Sequence, residues 1–342
     1  MTVHIIPKRL ACADALLQAG LEDGLFTHAV YGLICGGEPA VQKAFGAATL
    51  GSVFDLASLT KPLATATLIM QGVEQGRLHL RQPVARFFED VYGPLPHLSG
   101  VEVRHLLTHT SGLPPIPCWP AEGAKASRQE LIGSVLTTPT LRPAGVGYTY
   151  SDTGFILLGE IAAQVFGQPL EKCFQEQIAG PLGRTTLGFG PSAANVVPTG
   201  PEAAGVVHDP RARDLGGVAG HAGLFGTAAD VLTFAEAIRT GGGPILSRAS
   251  VARMRESQIP ASVGAQSLGW FCAGNDYLPS GDLFSDRAFG HSGFTGTAAL
   301  IDPESGVSLV LLTNRVVNQA EDGSRFLRAR RLWLNAVAAA LA

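Results

Sequence analysis

Phe54-Asp55-Leu56-Ala57-Ser58-Leu59-Thr60-Lys61, with the apolar stretch 62–72 behind it, decides how the rest of this 342-residue chain is read. Ser58 and Lys61 stand three residues apart, so on a helix their side chains share one face. That spacing brings an amine within reach of a hydroxyl. Near a helix N-terminus the macrodipole and burial both disfavour a protonated amine, which would allow Lys61 to act as a neutral base. A capping serine ahead of an ordinary helix lysine writes the same letters. The stretch therefore carries weight only together with its surroundings.

Working outward, residues 8–23 have helical spacing, with Leu10, Ala13, Leu16 and Leu17 on one face. An apolar run, His28–Ile34, and a second short strand near 41–46 flank a Gly36-Gly37-Glu38-Pro39 turn. The far end mirrors this arrangement. Thr297–Ile301 and Val307–Leu312 are strand-like, Asp302-Pro303-Glu304-Ser305-Gly306 is a hairpin turn, and 324–341 is a helix candidate. The pattern predicts an α+β fold with an antiparallel sheet flanked by helices, built from residues 1–66 and 245–342. Residues 67–244 form an inserted, mostly helical lobe in this reading, with a site in the cleft between the two.

Two further segments carry chemistry. Tyr148-Thr149-Tyr150-Ser151-Asp152-Thr153-Gly154 precedes an apolar run. A tyrosine at a helix start can give or take a proton if a cation lowers its pKa, although a plain helix cap with aromatic packing reads the same way. Phe289-Gly290-His291-Ser292-Gly293-Phe294-Thr295-Gly296 leads into a strand, and its glycines would let a substrate backbone lie close. An α/β-hydrolase reading of Ser292 fails on chain order, because no histidine follows it.

Taken together, Ser58-Leu59-Thr60-Lys61, Tyr150-Ser151-Asp152 and His291-Ser292-Gly293 resemble the S-x-x-K, Y-x-N and K/H-T/S-G motifs of penicillin-binding-protein-like serine hydrolases. These include class C β-lactamases, D,D-carboxypeptidases and family VIII esterases. GRLHLRQPVARFF, VRHLLTHTSGL, YSDTGFILLGEI, PLGRTTLG and AGLFGTAADVLTFAEAI are similar to the stretches between those motifs, and the resemblance runs from about residue 25 to 315. It implies a β-lactamase/transpeptidase-like fold. It also implies that Ser58 is acylated, that Lys61 shares its proton, and that Tyr150 activates Ser58 and protonates the leaving group. The backbone N–H groups of Ser58 and Phe294 would form the oxyanion hole. Asp152, His291, Ser292 and Gly293 would contact substrate.

Two positions depart from the motifs. Asp152 replaces an asparagine whose amide donates to substrate, and an ionised carboxylate cannot donate, so pairing with Lys61 or a neighbouring N–H is expected. His291 replaces the lysine that fixes a β-lactam carboxylate in many lactamases. Both changes tilt the expectation towards an esterase acting on small acyl substrates through a Ser58 acyl-enzyme. A β-lactamase or D-amino-acid peptidase is the alternative. A non-catalytic binding or sensor module is disfavoured because Ser58, Lys61 and Tyr150 are all present.

Composition bounds these readings. Hydrophobic residues make up 46% and charged residues 15%, which excludes a disordered chain. A net charge of −3 without a basic run gives no nucleic-acid footprint. No apolar run reaches the length of about 18 residues that a membrane span needs. The start of the chain lacks a signal-like core, and Cys12, Cys35, Cys118, Cys173 and Cys272 form no C-x-x-C pair. A cytoplasmic enzyme with a small-molecule partner, no metal and no cofactor is expected. His105 and His109 read as structural histidines. Residues 208–221, with His221, are either a loop over the cleft or a turn packing the helical lobe. Pro114–Pro120 reads as a rigid surface loop, and Thr227 as a helix cap.

Overall fold

A computed structural model describes residues 4–37, 41–121, 125–191, 194–200, 203–318 and 323–342. Glu38 and Pro39 of the expected first turn lie outside the described residues.

Nine strands are present among these residues: β1 (His28–Cys35), β2 (Val41–Gly46), β3 (Phe54–Asp55), β4 (Gly188–Phe189), β5 (Leu224–Gly226), β6 (Phe271–Cys272), β7 (Phe289–Ser292), β8 (Ala298–Asp302) and β9 (Val307–Thr313). The helices that frame the sheet and the site are α1 (Pro7–Glu22), α2 (Thr67–Glu74), α3 (Asp152–Phe166), α4 (Ala228–Arg239) and α5 (Ser324–Ala339). The main sheet is antiparallel throughout, in the order β2-β1-β9-β8-β7-β6. The two chain ends meet in it, with Val30 opposite Leu312 and Leu33 opposite Leu309. This is the β-lactamase/transpeptidase-like architecture.

Both terminal strands read as continuous apolar runs because both faces of the sheet are covered. Ala29, Tyr31, Leu33 and Cys35 of β1, with Val307, Leu309 and Leu311 of β9, pack on Leu10, Leu17, Trp333 and Val337 of α1 and α5. The intervening Val30, Val310 and Leu312 belong to the second core, with Val231, Phe234 and Ile238 of α4. The expected lobe boundary at 244 does not follow this packing. Helix α4 precedes it, yet lies against β1, β8 and β9 of the sheet. The middle of the chain is mostly helical but also contributes strands. There β4 and β5 join β3 in a second, three-stranded sheet.

Asp302 fixes the β8–β9 hairpin. Its buried carboxylate accepts the Ser285 N–H and hydroxyl at 3.0 and 2.6 Å, the Glu304 N–H at 3.1 Å, and the Ser305 N–H and hydroxyl at 3.3 and 2.8 Å. Burial pushes its pKa up, but these donors outweigh burial and hold it below the ordinary carboxyl value. Asp302→Ala should lower the unfolding free energy by about 2–3 kcal/mol in chemical denaturation at neutral pH, because several donors lose their acceptor. A carboxyl depressed in the folded state stabilises fully above its unfolded pKa and loses that contribution as pH falls through its folded pKa. Variant and wild type should therefore converge in stability on acidification.

Candidate active site

Ser58 is not on a regular α-helix. Residues Ala57–Leu59 form a 3-10 turn, Lys61–Ala66 a π-helical turn, and α2 begins only at Thr67. Such irregular turns recur at functional sites. The three-residue spacing still brings the groups together, and Lys61 Nζ donates to Ser58 Oγ at 2.9 Å. Ala57, just before the serine, is held in the left-handed region at φ 47°.

The second segment enters at the N-terminus of α3, which Ser151 caps by accepting the Gly154 N–H at 3.2 Å. Capping aims Asp152 at the lysine, 2.7 Å from Asp152 Oδ1 to Lys61 Nζ. Tyr150 lies with its ring face 4.9 Å from the ammonium and its hydroxyl in hydrogen-bonding reach of Lys61 and Ser58. The third segment is β7 and the turn after it. Thr295 and Thr297 hydroxyls donate to the carbonyls of Asp55 and Leu56 at 2.8 and 3.0 Å. A Cβ on Gly293 would stand 2.2 Å from Thr297 Oγ1 and 2.6 Å from the Leu56 carbonyl, so only glycine lets this turn sit against the nucleophile segment. Among the described residues, the N–H groups of Ser58 and Phe294 make no backbone bond to another segment, and both residues line the cleft.

Electrostatics corrects the expected state of Lys61. Burial alone would lower its pKa, but Asp152 and Tyr150 outweigh burial and raise it, so the amine is a cation at rest rather than a neutral base. Burial likewise pushes Asp152 up, and Lys61 with His221 brings it back below the usual carboxyl value. Burial raises Tyr150 despite the nearby ammonium, so it rests as a neutral phenol.

His291 is fully buried and stacks on Phe271 at 4.1 Å, behind the cleft wall rather than on it. Burial and Lys61 hold its pKa well below normal, so it is neutral. Its neighbours Ser292, Gly293 and Phe294 do line the cleft. His109 lies beneath Tyr150, 4.6 Å between ring centres, and its Nδ1 accepts the Ser151 N–H at 3.1 Å. The 208–221 segment turns out to be both things expected of it. His208, Asp209 and Arg211 face the cleft, while His221 is buried, with its carbonyl accepting Lys61 at 3.2 Å and its Nε2 2.9 Å from Asp209 Oδ1. Gly220 makes that placement possible, because a Cβ there would stand 2.0 Å from the Phe155 carbonyl. Asp152, Asp209 and His221 bring ligand-type atoms within 4.8 Å of one another. The Lys61 ammonium already occupies Asp152 Oδ1 in this cluster.

A family model described as Beta-lactamase matches residues 13–332. The chain belongs to the β-lactamase family of serine hydrolases. It is 32% identical over 309 residues to a candidate D-alanyl-D-alanine carboxypeptidase of Escherichia coli (strain K12), covering 78% of this chain and 70% of that protein. Among solved structures it is similar to a hydrolase with promiscuous acyltransferase activity (TM-score 0.74, 24% identity, 96% of this chain and 98% of that one). It also resembles the D-amino acid amidase of Ochrobactrum anthropi (TM-score 0.73, 22% identity, 97% and 98%). The two structural likenesses show the shared fold.

In this β-lactamase-family cleft, of about 610 Å³, Ser58, Tyr150 and Asp152 share the walls with Ile116, Tyr277, Arg315 and Arg330. Sequence reasoning missed these last four. They lie in loops and on α5, far from the motifs, and only Ile116 falls in a segment singled out, the proline-rich loop. Asp209 was detectable as an Asp-Pro helix cap, and it accepts the Ala212 N–H at 2.8 Å.

Asp152→Asn should remove the counter-ion that keeps Lys61 charged. The limb of the pH profile for Ser58 labelling by a fluorophosphonate that reports Lys61 should move to lower pH by about one unit or more. An unmoved profile would show that the ion pair does not set the lysine's charge.

Proposed function

We propose that the chain is an esterase acting on apolar acyl esters through a Ser58 acyl-enzyme. The observation that carries this reading is the cleft mouth. Ile116, Tyr277, Phe294 and Leu327 are 55%, 54%, 61% and 50% exposed around the serine, an apolar rim open to solvent. Ser58 Oγ bonds to the acyl carbon, and the N–H groups of Ser58 and Phe294 receive the developing oxyanion. The serine proton enters the Tyr150–Lys61–Asp152 network, and Tyr150 protonates the departing alkoxide as the C–O bond breaks. Water then releases the acyl group through the same groups in reverse. Asp152 is engaged with Lys61 and His291 is a buried neutral ring, so neither supplies what an amide side chain or a β-lactam carboxylate would need.

A second reading has its own observation. Arg315 and Arg330 both line the cleft, and neither forms an ion pair among the described residues. Arg315 lies over the Phe294 ring at 4.6 Å and donates to the Phe294 carbonyl at 2.6 Å. Two guanidiniums on the cleft wall without a carboxylate partner among the described residues favour a substrate with an anionic group, as in a D,D-carboxypeptidase. No helix among the described residues is long and apolar enough to cross a membrane, and the five cysteines are free, which suits action in a reducing compartment.

The test is a matched panel on one preparation: 4-nitrophenyl butyrate, its ω-carboxylate analogue, a D-alanyl-D-alanine peptide and a penicillin. The neutral ester should exceed the penicillin by about a hundredfold or more in kcat/KM, and Ser58→Ala should lose on the order of a thousandfold or more. Faster turnover of the peptide would put the carboxypeptidase reading ahead. Near-normal activity in Ser58→Ala would sink both.

A further inference from the structure

Asp55 lies three residues before Ser58 and touches neither Lys61 nor Tyr150. It is only 2% exposed, and three segments meet on it. Oδ1 accepts the Ala57 N–H at 2.8 Å, Oδ2 accepts the His208 N–H at 2.7 Å, and its backbone carbonyl accepts the Thr295 hydroxyl at 2.8 Å. These partners belong to the nucleophile turn, the substrate-facing 208–211 wall and the turn that carries the Phe294 N–H. The Ala57 bond holds a residue whose left-handed conformation costs about 1–2 kcal/mol relative to the right-handed one. Released from that bond, the turn can relax and carry Ser58 Oγ with it.

We infer that Asp55 is a positioning residue, a carboxylate clamp that ties the Ser58 turn to the His208 wall and so fixes the serine against its oxyanion donors. This rests on the reading of Ser58 as the nucleophile. The clamp needs two acceptors facing two N–H groups, which an ionised carboxylate supplies and an amide or protonated acid of the same shape does not. Burial pushes the Asp55 pKa up to about 6, helped by Asp209 and opposed by the two N–H bonds and by Arg213. His208, the remaining titratable group facing it, is held by burial on the neutral side of its ordinary value. As pH falls through about 6, the clamp therefore loses an acceptor.

The test uses the full chain, a fluorophosphonate and 4-nitrophenyl butyrate. Wild type should be labelled on Ser58, with an acid limb in the labelling rate near pH 6. Asp55→Asn should stay folded by circular dichroism, lose about a hundredfold in labelling rate and in kcat with little change in KM, and lack that limb. Adding Ala57→Gly, which relieves the left-handed strain, should restore part of the loss. A general packing defect would produce neither the missing limb nor the rescue. Asp55→Asn labelled as fast as wild type, or with its acid limb intact, would overturn the clamp. Should the variant not fold, a wild-type rate that is flat between pH 5 and 7 overturns it as well. Wild type that is never labelled on Ser58 would instead overturn the nucleophile assignment.

Discussion

A protonated amine buried without any solvent contact is the constraint on which the site depends. Lys61 is 0% exposed, and an isolated buried charge costs several kcal/mol unless paired and hydrogen-bonded. Four groups compensate it: the Asp152 carboxylate, the Ser58 hydroxyl, the His221 carbonyl and the face of Tyr150. They come from three parts of the chain, with Tyr150 and Asp152 sharing one. The cation therefore cross-links the nucleophile turn, the start of α3 and the loop before β5. Ser151 as cap and Gly220 at a close backbone approach are conditions for seating this one charge. The reacting hydroxyl is held in place by the same arrangement.

The histidines around Lys61 follow from that charge. His109 and His291 are both buried, and burial with the nearby ammonium holds both imidazoles neutral. A second buried cation would add to a cost already near its limit, whereas a neutral ring supplies shape and one lone pair. His109 uses its lone pair on the Ser151 N–H, fixing the cap that aims Asp152. Its φ of 57° is one of only two positive values outside glycine among the described residues, the other being Ala57. Both strained residues adjoin the catalytic cluster, where the surrounding bonds over-determine the backbone.

The legible parts were those written in local pattern. The terminal apolar runs and the Asp302–Gly306 turn predicted the strands to within a residue or so, because both sheet faces are buried and the turn residues are specific. Ser58, Lys61 and Tyr150 were singled out from spacing and motif, and the structure brings the three side chains together. What escaped depends on partners distant in sequence. The charge of Lys61 is decided by Asp152, which the helix-terminus argument left out. The placement of α4 on the sheet is decided by its apolar face, which fits either lobe on sequence alone. Asp55 carried no signal of its own, since its partner His208 is 153 positions away.

The two departures from the family motifs act in one direction. Asparagine to Asp152 adds a negative charge, and lysine to the neutral His291 removes a positive one, so this side of the cleft is two charges more negative than the motif residues would make it. Asp209, itself held ionised by His221, deepens that bias. The compensating cations, Arg315 and Arg330, stand on the far side, on the loop after β9 and on α5, where burial depresses both. A substrate anion placed where a motif lysine would hold it meets Asp152 and Asp209 instead. It would have to reach across to the arginines, past the exposed ring of Phe294. Charge thus runs from acidic around Asp152 and Asp209 to basic at Arg315 and Arg330, which supports the proposed uncharged acyl group over an anion beside Ser58.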